Sequence, residues 1–457
     1  MPDTNRSKAE ALFFQGISHM QKGESADAEA CFMKAIELEP GFPEAHTNLA
    51  MLLGLRNQDK AAELHYLLSI ASNPYLPQTH LNFGALLARQ KRFIEAEAAY
   101  RKAIKLDANS PAAWSNLGVL YACMKREEEA ERCYRTALML DEHFAKARFN
   151  LSYIQLRQGR FEEGWQSLEA RDWYAPLQRL LQMPRWQGEP LAGKSLLICF
   201  EAGLGDVIQF CRYAEVLKEQ GAGNIALLCH PPLKSLLATL PGVDSILSFD
   251  EPLPSSGWDF WTPLLSIPHF CNTRLDSIPA RIPYLRADSD RIKKWQPLLP
   301  KSGFKVGLVW RGSVHFENDA DRSLPSLALL SPLWAVKNIA FVSLQKGAGE
   351  NEMPPDGLPL IRIGTKLSDL ADTAAVVACL DLVISVDTAV AHLAGAMGKP
   401  CWVLLPDYKT DWRWLKERAD SPWYPDVMRL FRQPETGKWA PVISELTSAL
   451  KKLTQQA

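Results

Sequence analysis

Leu382–Ile384 run into SVDTAVAHLAGAMGKP (385–400), and the apolar stretch Cys401–Leu405 follows. The spacing predicts a buried strand, a tight turn, a short helix and a second strand, with Asp387, Thr388 and Ala389 in the turn. A helix that starts at the exit of a buried strand points unpaired backbone N–H groups, and the positive end of its dipole, outward. Phosphate or pyrophosphate settles on such a terminus without needing a metal. Small residues (Ala389, Ala391, Ala394, Gly395, Ala396) let helix, sheet and ligand approach closely. The segment points to an α/β sheet that holds a nucleotide-linked ligand.

Outward from this segment, short apolar runs alternate with helical patterns over residues 194–457. Strands are expected at 196–200, 225–229, 245–249 and around Phe260. Beyond a polar stretch at 288–302 they resume at 306–310, 339–344, 360–363, 382–386 and 401–405. Helices are expected at 207–220, 232–240, about 326–336, 368–380, 389–397 and about 441–453. Alternation of this kind implies parallel sheets wound by right-handed crossovers. A junction near residue 300 divides them into two Rossmann-like halves, 194–300 and 301–457, facing a cleft. Ligands of open α/β sheets bind outside the carboxyl ends of the strands.

Three further motifs fall at such ends. Glu201-Ala202-Gly203-Leu204-Gly205-Asp206 follows the first strand; its glycines tighten the turn and admit a ligand to the backbone. Asp206 is either a helix cap or, kept ionised by the helix terminus, a base for an incoming hydroxyl. Arg311 and Arg322, around the loop HFENDADRS (315–323), are either phosphate-binding guanidiniums or surface partners of Glu317, Asp319 and Asp321, with Arg322 the stronger candidate. Gln345 and Lys346 follow a later strand and either read a base or ribose or solvate a loop. His392, one turn into the 389–397 helix, is a phosphate or sugar contact or a packed histidine. The tail DWRWLKERADSPWYP (411–425) suits a sugar face or a domain clasp, packing being the simpler reading.

The N-terminal third repeats at a 34-residue offset, with unit starts at Ala9, Pro43, Pro77, Pro111 and Ala145. The unit 111–144 carries Trp114, Leu117, Gly118, Tyr121, Ala130, Tyr134 and Ala137, and 77–110 has Phe83, Gly84, Leu87, Ala96, Tyr100 and Ala103 in the same register. This resembles the tetratricopeptide repeat, a helix–turn–helix unit that stacks into a solenoid. About five repeats are expected over 9–174, the fifth degraded as a terminal unit is, followed by a Pro- and Gly-containing linker at 175–193 that packs on both neighbours. Such an array presents a groove for a peptide or partner protein, or serves as a spacer or dimerisation surface.

A net charge of −1 gives no reason to expect nucleic acid as partner. Nine cysteines without a C-x-x-C pair or His/Cys cluster argue against a disulfide framework or zinc site. Without a transmembrane segment, the expected location is cytoplasmic.

The motifs G-L-G-D (203–206) and D-T-A-V-A-H-L (387–393) together resemble bacterial glycosyltransferase family 9, the ADP-heptose heptosyltransferases, over roughly 194–435. The whole chain resembles bacterial tetratricopeptide proteins that carry this domain. The resemblance implies a GT-B fold of two Rossmann-like domains, working without a bound metal or other cofactor on a nucleotide-sugar donor. It makes Asp206 the general base and lines the cleft with Gly203, Leu204 and Gly205. Asp387 would meet the donor sugar, and the Thr388 and Ala389 amides the pyrophosphate. Ala389 stands where heptosyltransferases usually have glycine, and no lysine follows Trp310 where that family has one; Arg311 or Arg322 substitutes. The last helix is expected to cross back to the first domain, as in related folds. The favoured activity is inverting transfer to a hydroxyl of a glycan or polypeptide. The alternatives are a non-catalytic adaptor that binds a nucleotide sugar, and a nucleotide-sugar epimerase or hydrolase.

Overall fold

At Gly16, Gly84 and Gly118 two helices cross so closely that a Cβ would lie 2.6, 2.7 and 2.6 Å from the rings of Phe32, Tyr100 and Tyr134. The 34-residue pattern is therefore a packing rule, a missing side chain on one helix matched to a large ring on the next. The computed structural model describes residues 2–253, 256–355 and 357–456, and the chain divides into two units, 1–154 and 155–457. The first unit is a run of paired helices: Pro2–Gln21 with Ser25–Leu38, Pro43–Leu55 with Asp59–Ser72, Pro77–Arg89 with Phe93–Leu106, and Pro111–Cys123 with Glu127–Leu140. Pro43, Pro77 and Pro111 open their helices, where the missing N–H costs nothing. The turn inside each pair reverses through one left-handed residue, Gly23, Asn57, Lys91 and Lys125 in turn, again 34 residues apart. Gly159, between the helices Ala145–Arg157 and Phe161–Leu168, keeps that register.

The division between the units falls within Ala145–Arg157, so the helix Phe161–Leu168 belongs to the second unit. Its Trp165 donates to the Thr273 carbonyl at 2.9 Å and packs among Phe161, Phe210, Trp412 and Trp423. Residues 175–193 continue along the first sheet. Trp186 N–H donates to the Trp261 carbonyl at 2.8 Å, and Leu181, Met183, Trp186 and Leu191 are buried.

Two parallel sheets follow. The first has β1 (Ser195–Cys199), β2 (Asn224–Cys229), β3 (Ser245–Ser248) and β4 (Phe260–Pro263) in the order β3-β2-β1-β4. The second has β5 (Phe304–Val309), β6 (Ile339–Ser343), β7 (Ile361–Arg362), β8 (Leu382–Val386), β9 (Cys401–Leu405) and β10 (Met428–Arg432) in the order β10-β9-β8-β5-β6-β7. Among the described residues, every pairing between these strands is parallel. The protein is a helical repeat solenoid followed by two Rossmann-like sheets. Strand order reverses direction between β1 and β4 and between β5 and β8, and each reversal opens a crevice at the strand ends. The G-L-G-D turn leaves β1, and the D-T-A turn leaves β8.

Four elements differ from the sequence reading. The helix expected at 207–220 starts earlier and breaks at Cys211–Arg212 into Leu204–Phe210 and Tyr213–Glu219. The segment 326–336 is a 3₁₀ helix, Leu327–Ala335, because Pro332 inside it removes an amide and blocks α-helical continuation. Strand β10 was not expected; in M-R-L-F-R, charge interrupts the apolar run, as an edge strand allows. The last helix, Ala440–Gln456, does not leave the second sheet as expected. Its Val442, Ile443, Leu446 and Leu450 are buried in that sheet's core with Leu327, Leu330, Trp402 and Phe431, so its apolar face is already spent there.

Candidate functional site

The helix Leu204–Phe210 begins at Gly203, whose amide donates to Asp206 Oδ2 at 2.8 Å. Asp206 is therefore a cap. Its other oxygen, Oδ1, accepts from Arg413 Nη2, and Arg413 also donates from Nη1 to Asp411 Oδ2 at 2.8 Å. One guanidinium thus ties the first half's motif to the D-W-R-W tail. Asp206 is about one-fifth exposed and Arg413 about one-tenth, so the pair is sheltered from screening.

On the other side, β8 ends at Val386 and the helix Ala389–Ala396 starts after Thr388. Ala389 is the first helical residue and has no positive φ, so alanine fits there without the strain that would demand glycine. Its amide precedes the helix's own hydrogen bonds, as do those of Thr388 and Val390. The Thr388 hydroxyl lies 2.9 Å from that of Ser385, which fixes the turn from below. Asp387 accepts from Trp414 Nε1 at 2.9 Å. Burial pushes the Asp387 carboxyl above its ordinary value, opposed by the Trp414 N–H and the Arg322 charge. Asp411 is pushed up to about 7, first by burial and then by the Asp387 charge.

The two motif helices are in contact. A Cβ on Gly205 would stand 2.9 Å from His392 Cδ2 and 3.5 Å from the Ala389 Cα. His392 is 5% exposed, stacks on Trp414 at 5.3 Å and 18°, and has Nδ1 3.0 Å from the Tyr424 hydroxyl. Burial, with a smaller push from Arg212, takes its pKa down to about 3, so the ring is neutral at physiological pH. It is the packed histidine of the two readings, wedged between the helices. Arg212, itself buried, donates to the Pro279 and Trp423 carbonyls at 3.0 and 2.7 Å and locks the break after Phe210 onto the tail.

The arginines divide. Arg311 turns to the Pro325 carbonyl and lies 3.5 Å from Glu352. Arg322 donates to Asp319 at 3.0 Å and lies over the Phe316 ring, yet its charge reaches both Asp387 and Asp411. Gln345 does not meet a ligand as one reading had it: it is 1% exposed, Oε1 accepts from the Trp310 and Arg311 amides, and Nε2 donates to the Arg311, Lys346 and Ala348 carbonyls. Its amide is saturated by loop backbone. Lys346 is exposed beside it.

Trp412, Trp414, Trp423 and Tyr424 are all at most 2% exposed, so the aromatic tail is a clasp, not an open sugar face. Leu415 follows Trp414 with φ 53° and ψ −171°, a region costly for any residue but glycine. Arg432 on β10 holds that turn, donating to the Trp414 carbonyl at 2.7 Å and to the Arg418 carbonyl at 2.9 Å. Arg413, Trp414 and Asp411 escaped the sequence reading as site residues. Their signal was an arginine and an indole donor in a tail otherwise suited to packing. Among the described residues, the one group of three metal-capable side chains is His19, Glu24 and Asp27, in the repeat array.

Residues 9–42, 31–63, 84–124 and 111–144 match tetratricopeptide-repeat models, and residues 360–404 match the glycosyltransferase family 9 (heptosyltransferase) model. The chain is thus similar to tetratricopeptide-repeat proteins in its N-terminal third and to glycosyltransferase family 9 around the D-T-A turn. The family 9 match runs from β7 to β9 and includes the whole D-T-A turn. Protein FlbA of Caulobacter vibrioides is 30% identical to this chain over 332 residues, 65% of this chain and 54% of FlbA. The chain thus spans about half the length of the curated relative it matches. Pseudomonas aeruginosa pilF is 22% identical, covering 36% of this chain and 76% of its own at a TM-score of 0.35. A thermophilic TPR protein of Thermus thermophilus is 20% identical over 38% of this chain and 100% of its own, at 0.33. Among the described residues, no helix is long and apolar enough to cross a membrane.

Proposed function

We propose that this glycosyltransferase-like protein moves a sugar from a nucleotide-sugar donor to an acceptor hydroxyl, with inversion at the anomeric carbon. The observation that carries this reading is the contact of the two motif helices, Gly205 against Ala389 and His392. It brings the Asp206 carboxylate and the Ala389 helix terminus together at two strand-order reversals, which supports reading them as acceptor side and donor side of one site. The donor diphosphate would lie on the Thr388 and Ala389 amides, with Arg322 adding positive charge. Asp387 would hold a hydroxyl of the donor sugar. As the acceptor oxygen attacks the anomeric carbon, its proton passes to Asp206 and the bond to the diphosphate breaks. Helix terminus and guanidinium stabilise the charge that develops on the departing diphosphate. Arg413 keeps Asp206 ionised until then and must yield as the acceptor enters.

One observation favours a second reading, non-catalytic nucleotide-sugar binding: both Asp206 oxygens are already engaged, by Gly203 and Arg413. The test is transfer or hydrolysis across ADP, GDP, UDP, CDP and dTDP sugars by the wild type and Asp206→Asn. Turnover by the wild type and its loss in the variant support the transferase. Equal turnover removes Asp206 from the mechanism, and donor binding without turnover favours the second reading.

A further inference from the structure

Five turns between helices share one backbone bond. The amides of Glu24, Gln58, Arg92, Arg126 and Arg160 donate to the carbonyls of His19, Leu53, Leu87, Tyr121 and Gln155 at 2.8–3.0 Å. At three of these turns the arginine pairs with the glutamate three residues on: Arg92 with Glu95 at 2.6 Å, Arg126 with Glu129 at 2.5 Å and Arg160 with Glu163 at 3.5 Å. The second turn has neither charge, carrying Gln58 and Ala61. The first turn reverses the rule: Glu24 stands in the arginine's place and Asp27 in the glutamate's.

An acid in the first turn of a helix is favoured by the helix terminus, which accounts for Asp27 as it does for Glu95 and Glu129. It does not explain why a guanidinium gives way to a second carboxylate with a histidine beside it. His19 Nδ1 lies 2.6 Å from Glu24 Oε2, and the ligand atoms of His19, Glu24 and Asp27 all fall within 4.8 Å of one another. Among the described residues, no lysine or arginine forms an ion pair with Glu24 or Asp27. This turn gathers two acids and an imidazole without the cation that closes three of the others.

One imidazole nitrogen and two carboxylate oxygens suit a borderline divalent cation, zinc first among them. Calcium and magnesium prefer shells made of oxygen alone. Donors on a tetrahedral zinc stand about 3.4 Å apart, each bond being about 2.1 Å. The spacings here are 2.6 Å at the short end and within 4.8 Å throughout. Closure therefore takes shifts of about 1–1.5 Å, which rotation of the part-exposed side chains supplies. Zinc on Nδ1 displaces the hydrogen bond to Glu24, and the ring then carries its proton on Nε2. Three protein ligands leave the fourth position to water.

We propose that His19, Glu24 and Asp27 bind a divalent transition-metal cation, zinc above all, which takes at this turn the part that arginine plays at three others. The inference does not draw on the transferase reading, and its test needs no donor.

The experiment titrates the chelator-treated full chain with zinc against a colorimetric zinc indicator, for the wild type and for His19→Ala, Glu24→Gln and Glu24→Arg. Each variant should take up one zinc fewer than the wild type. Glu24→Arg is the sharpest of the three, because it installs the arginine that other turns use and should keep its helices without metal. The cobalt(II) spectrum lost on substitution should contain d–d bands and no thiolate charge transfer, which separates the site from the nine cysteines. Magnesium in about hundredfold excess should leave zinc uptake unchanged. Glu37→Gln, at an exposed residue of the helix Ser25–Leu38, should change nothing. Circular dichroism establishes that each variant keeps its helices. Equal zinc uptake by the wild type and the folded variants, thiolate bands in the signal that is lost, displacement by magnesium, or no zinc uptake at all each overturns the proposal.

Discussion

The exits of β1 and β8 present the same motif design, an aspartate at a helix start, under opposite electrostatics. Asp206 is held by a full positive charge, Arg413, and by a backbone amide. Asp387 is held by a neutral indole N–H and raised by burial, and its charge in turn raises the proton affinity of Asp411. A carboxylate paired with a guanidinium therefore faces two acids whose burial favours the protonated form. The difference teaches that position at a strand end fixes where an acid stands, while the tail residues 411–414 decide what it can do. Both acids take their partners from one short segment, so the tail sets both environments at once.

The sharpest break of the comparison is Asp206→Asn, which keeps a cap acceptor for Gly203 but removes the base. On whichever donor supports transfer, kcat should fall about 10²–10⁴-fold with helix content unchanged. A fall below tenfold would mean the two exits do not differ in role. Next comes Gly205→Ala, which forces a methyl into the His392 ring where the helices touch. A destabilisation of about 1–3 kcal/mol is expected in urea unfolding of the second unit. No loss would show that the two exits can part at little cost.

The proton affinity itself is tested by Asp411→Asn. Asp411 titrates at about 7 in the fold, against about 3.9 in an unfolded chain. The folded state holds this proton longer, so its contribution to stability is present at low pH and is lost as pH rises toward 7. His392 has the opposite sign: depressed to about 3 when folded, it takes up a proton on unfolding below about 6.5 and weakens the fold as pH falls. The difference in Tm, variant minus wild type, should therefore climb between pH 5 and pH 8. A flat difference would remove the acid pair from the comparison. The smallest effect belongs to a control in the repeat unit, Asn57→Gly at a left-handed turn residue. It should shift urea stability by about 0.5 kcal/mol or less, because relief of strain is offset by a freer unfolded chain.

The two units were not equally legible. Repeat boundaries follow from glycine and ring positions because each contact lies within about half a repeat of sequence, so Gly118 and Tyr134 announce one another. The strand positions of the second unit were readable because buried parallel strands are continuous apolar runs. Strand β10 was not, since Arg429 and Arg432 interrupt it, and Arg432 is there to brace a turn 14 and 18 residues away. The site was half readable. Asp206 and Asp387 could be picked from their motifs, but the Arg413 bridge joins positions 207 residues apart and has no local signature. Gln345 shows the converse: its place at a strand end suggested a ligand, while the nearby loop carbonyls that occupy it leave no trace in the pattern.

The left-handed residues at 23, 57, 91, 125 and 159 have a consequence for how the chain can change length. Each repeat starts and finishes on the same backbone torsion, so a segment copied or excised between equivalent turns, such as 58–91, meets its new neighbour in phase. Such a splice requires no new loop and no compensating substitution. The reach of the array is therefore a modular quantity, adjustable in whole repeats by duplication or deletion of the coding segment.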